Sequence, residues 1–204
     1  ADLLKADLTK ANITEANMTE ADLDETNLSG VDFSGVLLAE ANLKDAIIKK
    51  TRFVKIIGNP RFLPTDSHRM YGNNIIGPNL DLNGVDFGEA ILSGLDLKDV
   101  NLMDANLYNA DLSNTDLQGA NLSRTDLFHA KLMGSNLENT NLSFSDLRNS
   151  IITGTNFMNS QLTGADLRGA NYLDANFGET NLLDAIYNGN VSGVFLTESE
   201  KLQK

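Results

Sequence analysis

Cysteine and tryptophan are absent from the 204 residues, and proline occurs three times. Without cysteine there is no disulfide and no thiolate metal site, and composition leaves the redox compartment open. Basic residues are scarce, 16 Lys and Arg against 28 Asp and Glu, for a formal net charge of −12. Gripping nucleic acid by its phosphates needs clustered cations, so direct nucleic-acid binding is not expected. The charge suits a basic partner, or simple solubility. No apolar run approaches the ~18 residues of a membrane span, and no signal-peptide pattern opens the chain. The sequence starts with "ADLLK", already in mid-phrase, so a leader or earlier repeats are expected to have been removed. An exported location (periplasmic, lumenal or extracellular) and a cytoplasmic one both stand.

What the chain has in abundance is a five-residue phrase, as in "ANLYNADLSNTDLQGANLSRTDL" over 105–127. Stepping by five from Leu3 to Phe53 meets an apolar residue every time, and so does stepping from Leu82 to Tyr187. The residue two before each centre is small, usually Ala, Ser, Thr or Val, with Leu80 and Leu95 as exceptions. The residue one before is Asp or Asn in 8 of the first 11 repeats and 17 of the next 22. A period of five fits neither a helix, with 3.6 residues per turn, nor a long strand, with its period of two. It fits a chain that turns a corner every five residues, with the centre and the small residue pointing inward. Asp and Asn suit the corner because their side chains bond nearby backbone amides.

These residues resemble the pentapeptide-repeat family, whose motif is A(D/N)LXX, over 1–55 and 80–189. The resemblance implies an all-β fold, a right-handed quadrilateral β-helix with four repeats per coil. About eight coils at the ~4.8 Å strand spacing would span roughly 40 Å. Repeats of this kind depend on their neighbours for stability.

The first block, 1–55, and the second, 80–189, are separated by 56–79, "IIGNPRFLPTDSHRMYGNNIIGPN". Pro60, Pro64 and Pro78 all fall there, each removing an N–H that a stacked coil would use. The segment also carries Arg61, His68 and Arg69, the candidate functional residues of what is expected to be an ejected 24-residue loop or an inter-block linker. Residues 190–204 leave the frame. Val194, Phe195 and Leu196 are expected to cover the last coil, and Thr197 with Glu200 forms a possible capping box for a short helix.

Nothing in the sequence points to catalysis. His68 and His129 lack the spacing of a zinc site, and no nucleophile elbow or phosphate-binding glycine loop is present. No catalytic, metal-ligating or cofactor-binding residue is therefore assigned, and no cofactor is expected. Residues 20 apart should stack, which places Asp126, Asp146 and Asp166 in an acidic ladder continued by Asn106 and Asp86. Beside it run Tyr108, Phe128, Arg148 and Arg168, residue types that dominate interface energetics. Ile91 and Ile151 are expected on one outer face, with Leu37, Ile47 and Ile186 as similar outward aliphatics. The expected function is a non-catalytic interaction or scaffold protein presenting flat faces to a protein partner. The alternative is an acidic DNA mimic that binds a type II topoisomerase such as gyrase, as some members of the family do. Such relatives are end-to-end dimers, which leaves that assembly possible here.

Overall fold

The structure, a computed structural model, describes residues 1–188, and among them there is no helix. The chain divides into two compact units, Ala1–Leu82 and Asn83–Lys204. The expected cap at 190–204 lies outside the described residues.

One phrase of the second unit shows how the fold arises from the backbone. Asp126 donates its N–H to Ala105 in the preceding coil (3.1 Å), and Leu127 donates to Asp146 in the following one (2.8 Å). The N–H of Phe128 is taken by the Asp126 side chain (3.0 Å). His129 donates onward to Arg148 (3.1 Å), and Ala130 turns back to the Leu127 carbonyl (2.9 Å). All five amides of the phrase thus have distinct partners, which a buried backbone demands. The i-to-i+3 bond from Ala130 to Leu127 brackets a corner with His129 at φ 60°, the positive value a type II turn requires at its third residue. The same position holds positive φ in repeat after repeat, even with Lys5, Glu15 or Phe144 there.

Parallel bridges at an offset of 20 residues make four five-residue sides per coil. In the first unit they link Asp2, Asp22, Asn42 and Phe62; in the second they run from Asp86 through Asn106, Asp126, Asp146 and Asp166 to Ile186. The architecture is a β-helix. Its interior is built from the repeat centres, as in the buried column Leu107, Leu127, Leu147 and Leu167. Burying each such leucine contributes about 1.5–3 kcal/mol. Aromatic centres stack within the core, Phe33 on Phe53 and Phe157 on Phe177, with ring centroids 4.6 and 4.9 Å apart. Buried hydroxyls two residues before a centre are satisfied by carbonyls, Thr125 by Leu122 and Ser145 by Leu142, both at 2.7 Å.

The segment 56–79 leaves the coil later than its sequence suggests. Ile57 bridges Leu37, and Phe62 bridges Asn42, both at the regular offset of 20. Glu40 and Asp45 donate to the carbonyls of Asn59 and Pro64, so residues 56–64 run along the preceding coil. The prolines do not prevent this. In the phrase above, the residue two after the centre, His129, donates its N–H onward to the next coil, and the residue one after, Phe128, donates to its own Asx side chain. Pro60 and Pro64 occupy those two places relative to Gly58 and Leu63. Gly58 stands at a centre position because a Cβ there would lie 2.7 Å from that of Ala39, and its φ is 79°. The true excursion follows: a hairpin of β1 (Arg69–Tyr71) and β2 (Asn74–Ile76), paired antiparallel. Ile75 donates to the Phe53 carbonyl, and Asp81 then donates to Thr51 as Asn42 does to Ala21. Ile75, Ile76 and Leu80 are buried, supplying apolar volume that Gly58 and the exposed Arg61 do not.

Candidate interaction surface

On one face of the second unit the outward Asp and Asn residues are positioned by their own turns, Oδ1 accepting the N–H two residues on, as at Asp86, Asn106, Asp126, Asp146 and Asp166. In the bridged column Asp86–Asn106–Asp126–Asp146–Asp166, Asn106 spans to Asp86 through its amide (2.7 Å). Asp126, Asp146 and Asp166 stack with no amide between them. Two of the three are answered by arginines from their own repeats. Arg148 makes a two-pronged bond to Asp146 (Nε–Oδ1 2.8 Å, Nη2–Oδ2 2.5 Å). Arg168 binds Asp166 the same way (Nη2–Oδ2 2.6 Å), and Arg148 Nε also lies 3.8 Å from Asp166. The arginine hydrogen bonds hold both carboxyls below the usual carboxylate range, against the opposing effect of burial. The ladder is self-compensating at its upper end, and Asp126 has no arginine of its own.

Beside the carboxylates, two residues further along each repeat, run Tyr108, Phe128, Arg148 and Arg168. The rings of Tyr108 and Phe128 lie nearly parallel, 7° apart with centroids 6.1 Å apart. The Arg148 guanidinium sits over the Phe128 ring at 5.2 Å, and His129 meets the same ring edge-on at 4.3 Å. Tyr108 is 41% exposed. Aromatics and guanidinium thus form one continuous stack along the outside of the coil, with the carboxylates alongside.

Of the residues expected in the insertion, Arg61 and His68 line one open depression of about 770 Å³ together with Lys44, Asp45 and Asp66, and Arg69 is not part of its lining. His68 is buried, its Nδ1 2.8 Å from the Thr65 hydroxyl and its Nε2 3.3 Å from the Pro78 carbonyl. A Cβ at Gly77 would lie 2.5 Å from its ring, so Gly77 is the glycine that lets the hairpin close on it. Arg61 lies over Phe62 at 5.2 Å, beside an open depression of about 470 Å³ that Glu20, Asp22, Glu40 and Asn42 also line. Sequence reasoning missed Phe62, whose outward exposure follows from the continued coil. Arg69 is exposed on β1.

Ile91 and Ile151 share a column, but Asp111 and Lys131 stand between them, so they form no continuous apolar strip along it. On another side, Asn101, Asn121 and Asn141 form an uncharged amide ladder (3.0 and 3.3 Å). Among the described residues no group of three or more His, Asp or Glu could hold a metal ion, and no helix is long and apolar enough to cross a membrane.

Among solved structures the chain is similar to HetL, a pentapeptide repeat protein involved in heterocyst differentiation regulation from the cyanobacterium Nostoc sp. strain PCC 7120. The identity is 26%, over 91% of this chain and 89% of that one, with a TM-score of 0.39. Rfr23, a pentapeptide repeat protein from the cyanobacterium Cyanothece 51142, is 25% identical over 80% and 88% of the two chains, with a TM-score of 0.38. QnrB1, a plasmid-mediated fluoroquinolone resistance protein, is 19% identical over 86% and 79%, with a TM-score of 0.31. Similarity at these TM-scores carries no argument about function. No curated protein matches the chain. The family model for pentapeptide repeats matches in 8 copies, over residues 1–30, 16–54, 81–119, 120–159 and 160–186, leaving out the hairpin-bearing segment. With the five-residue corners, the bridges at an offset of 20 and these matches, the chain belongs to the pentapeptide-repeat family.

Proposed function

We propose that this is a non-catalytic interaction protein whose second unit presents the Tyr108–Phe128 stack and its flanking aspartates to a protein partner. The observation that carries the proposal is the pair of parallel rings on the outside of the coil, Tyr108 exposed and Phe128 half-buried. Outward positions need no aromatic for folding, since the turn and the ladder are made by backbone and Asx side chains alone. Exposed aromatics beside arginines and carboxylates are the residue types that concentrate binding energy in interfaces. The reading includes a right-handed course of about eight coils, as the family resemblance implies.

The alternative, an acidic DNA mimic for a topoisomerase, draws on the net charge of −12. It is less well supported, because Arg148 and Arg168 neutralise two of the stacked aspartates and another column carries asparagines in place of acids. A photoreactive phenylalanine analogue placed at Tyr108, and separately at Ser123 on the asparagine side, tests the proposal in the native cell. A specific protein adduct from position 108 and none from 123 is expected. Adducts equal at both positions would contradict it, and an adduct identified as gyrase would favour the alternative.

A further inference from the structure

The column Gly88–Tyr108–Phe128–Arg148–Arg168 is occupied unevenly. At its upper end Arg148 covers the Phe128 ring and pairs with Asp146 of its own repeat. At its lower end the equivalent place belongs to Gly88, which has no side chain, although its own repeat supplies the matching carboxylate, Asp86. Asp86 Oδ1 accepts the Gly88 N–H (3.0 Å) and the Asn106 amide (2.7 Å). Among the described residues no other polar contact engages the second carboxylate oxygen of Asp86 or the side chain of the neighbouring Glu89. Phe128 stacks on one face of Tyr108; the coil that bears Gly88 lies toward the other.

We propose that this lower end is a receptor for an arginine side chain of the partner, whose guanidinium stacks on Tyr108 above Gly88 and pairs with Asp86. The chain provides the template twice, since Arg148 and Arg168 each make a two-pronged bond to the Asp two residues before them. Guanidinium groups combine the flat stacking surface and forked donors that an aromatic next to a carboxylate selects, which an ammonium does not. The local charge agrees: among the described residues Asp86 and Glu89 form no ion pair, so an incoming cation meets a field of its opposite sign. The inference rests on the proposed interaction surface and names the chemistry that surface recognises.

The test uses the full chain and two peptides at low ionic strength, acetyl-Gly-Arg-Gly-amide and its citrulline counterpart, which keeps the shape and loses the charge. Ring resonances of Tyr108, assigned by their loss in Tyr108→Phe, should shift with the arginine peptide. They should respond about fivefold less to the citrulline one, the scale of an exposed cation–π contact. Gly88→Arg should fill the site from within and abolish the response. Gly88 does not have a positive φ, so an L-residue fits the backbone, and the Asn106 amide 3.1 Å from the new Cβ is a side chain that can shift. Tyr108→Leu provides a second variant that should also lose the response, read on neighbouring backbone amides. Equal responses to the two peptides, or an undiminished response in folded Gly88→Arg, would overturn the arginine site. A photo-adduct from position 108 whose yield is unchanged by Gly88→Arg would overturn it while leaving the interaction surface intact. Loss of that adduct in Gly88→Arg would support both.

Discussion

The carboxylate of Asp126 accepts the backbone N–H of Phe128 at 3.0 Å, closing the turn on whose far side the chain changes direction. Asp146 and Asp166 do the same for Arg148 and Arg168, both at 3.1 Å. The bond needs one side-chain oxygen at one distance from the backbone, which explains why Asp and Asn alternate there freely. Asp126→Asn should therefore leave the melting temperature unchanged. Asp126→Ala should lower it by about 2–4 °C, the effect of one local hydrogen bond in a chain of this size. A larger loss for Asn than for Ala would contradict the role assigned to the oxygen.

Leu127 has no exposed surface and lies in a column of leucines. Leu127→Ala should cost about 2–5 kcal/mol through the lost contacts and the cavity left behind. Leu127→Arg should be worse, since an unpaired charge in that column has no route to water short of opening the coil. Thermal unfolding checks both, and a melting temperature for Leu127→Arg equal to the parent's would refute the inward assignment of the centres.

Acid should weaken the upper end of the aspartate ladder in a defined direction. Hydrogen bonds from Arg148 and Arg168 depress the Asp146 and Asp166 carboxyls, so the folded chain binds protons there less readily than the unfolded one. Their stabilisation is complete above the unfolded carboxylate value of about 4 and is lost as pH falls through the lower folded value. Arg148→Gln combined with Arg168→Gln should be less stable than the parent at neutral pH. The difference should shrink as pH falls below about 4, and urea titrations across that range read it directly. A gap that widens in acid would reverse the assignment.

Gly77 faces the His68 ring so closely that any side chain must push the hairpin away. Gly77→Ala should speed trypsin cleavage at Arg69, on the exposed strand of that hairpin, while amide protection at Leu107, Leu127 and Leu147 in the second unit is preserved. Unchanged cleavage would show that the His68 contact does not hold the hairpin.

The scaffold was legible in the sequence because it depends on side-chain size and polarity at fixed intervals: a leucine inside, alanine or threonine two before it, an Asx oxygen at the corner. Two features were not. The continuation of the coil through Ile57 and Phe62 is made by backbone amides and carbonyls, which leave no trace in residue type, while Gly58 and Arg61 break the apolar pattern. The positive φ at the fifth position is likewise imposed by the stack, so Lys and Glu there give no sign of it. Of the candidate residues, Tyr108 and Phe128 were found by their spacing of 20, as were Arg148 and Arg168. His68 stands out in the sequence with Arg61 and Arg69 for the positive balance of the insertion; its contacts with Thr65 and the Pro78 carbonyl depend on the hairpin's path, which residue type does not reveal. The openness of the place above Gly88 could not be seen without the Arg148–Asp146 geometry to compare it with.

The most direct test of the interaction surface uses the protein captured by the photo-probe at Tyr108, titrated against the parent chain and Tyr108→Ser/Phe128→Ser. Neither ring supports the core, so the double variant should melt within about 2–4 °C of the parent. Its affinity for the captured protein should fall at least about tenfold, as expected when paired aromatic anchors are removed. An affinity unchanged in the folded double variant would contradict the account and move the function to another face of the β-helix.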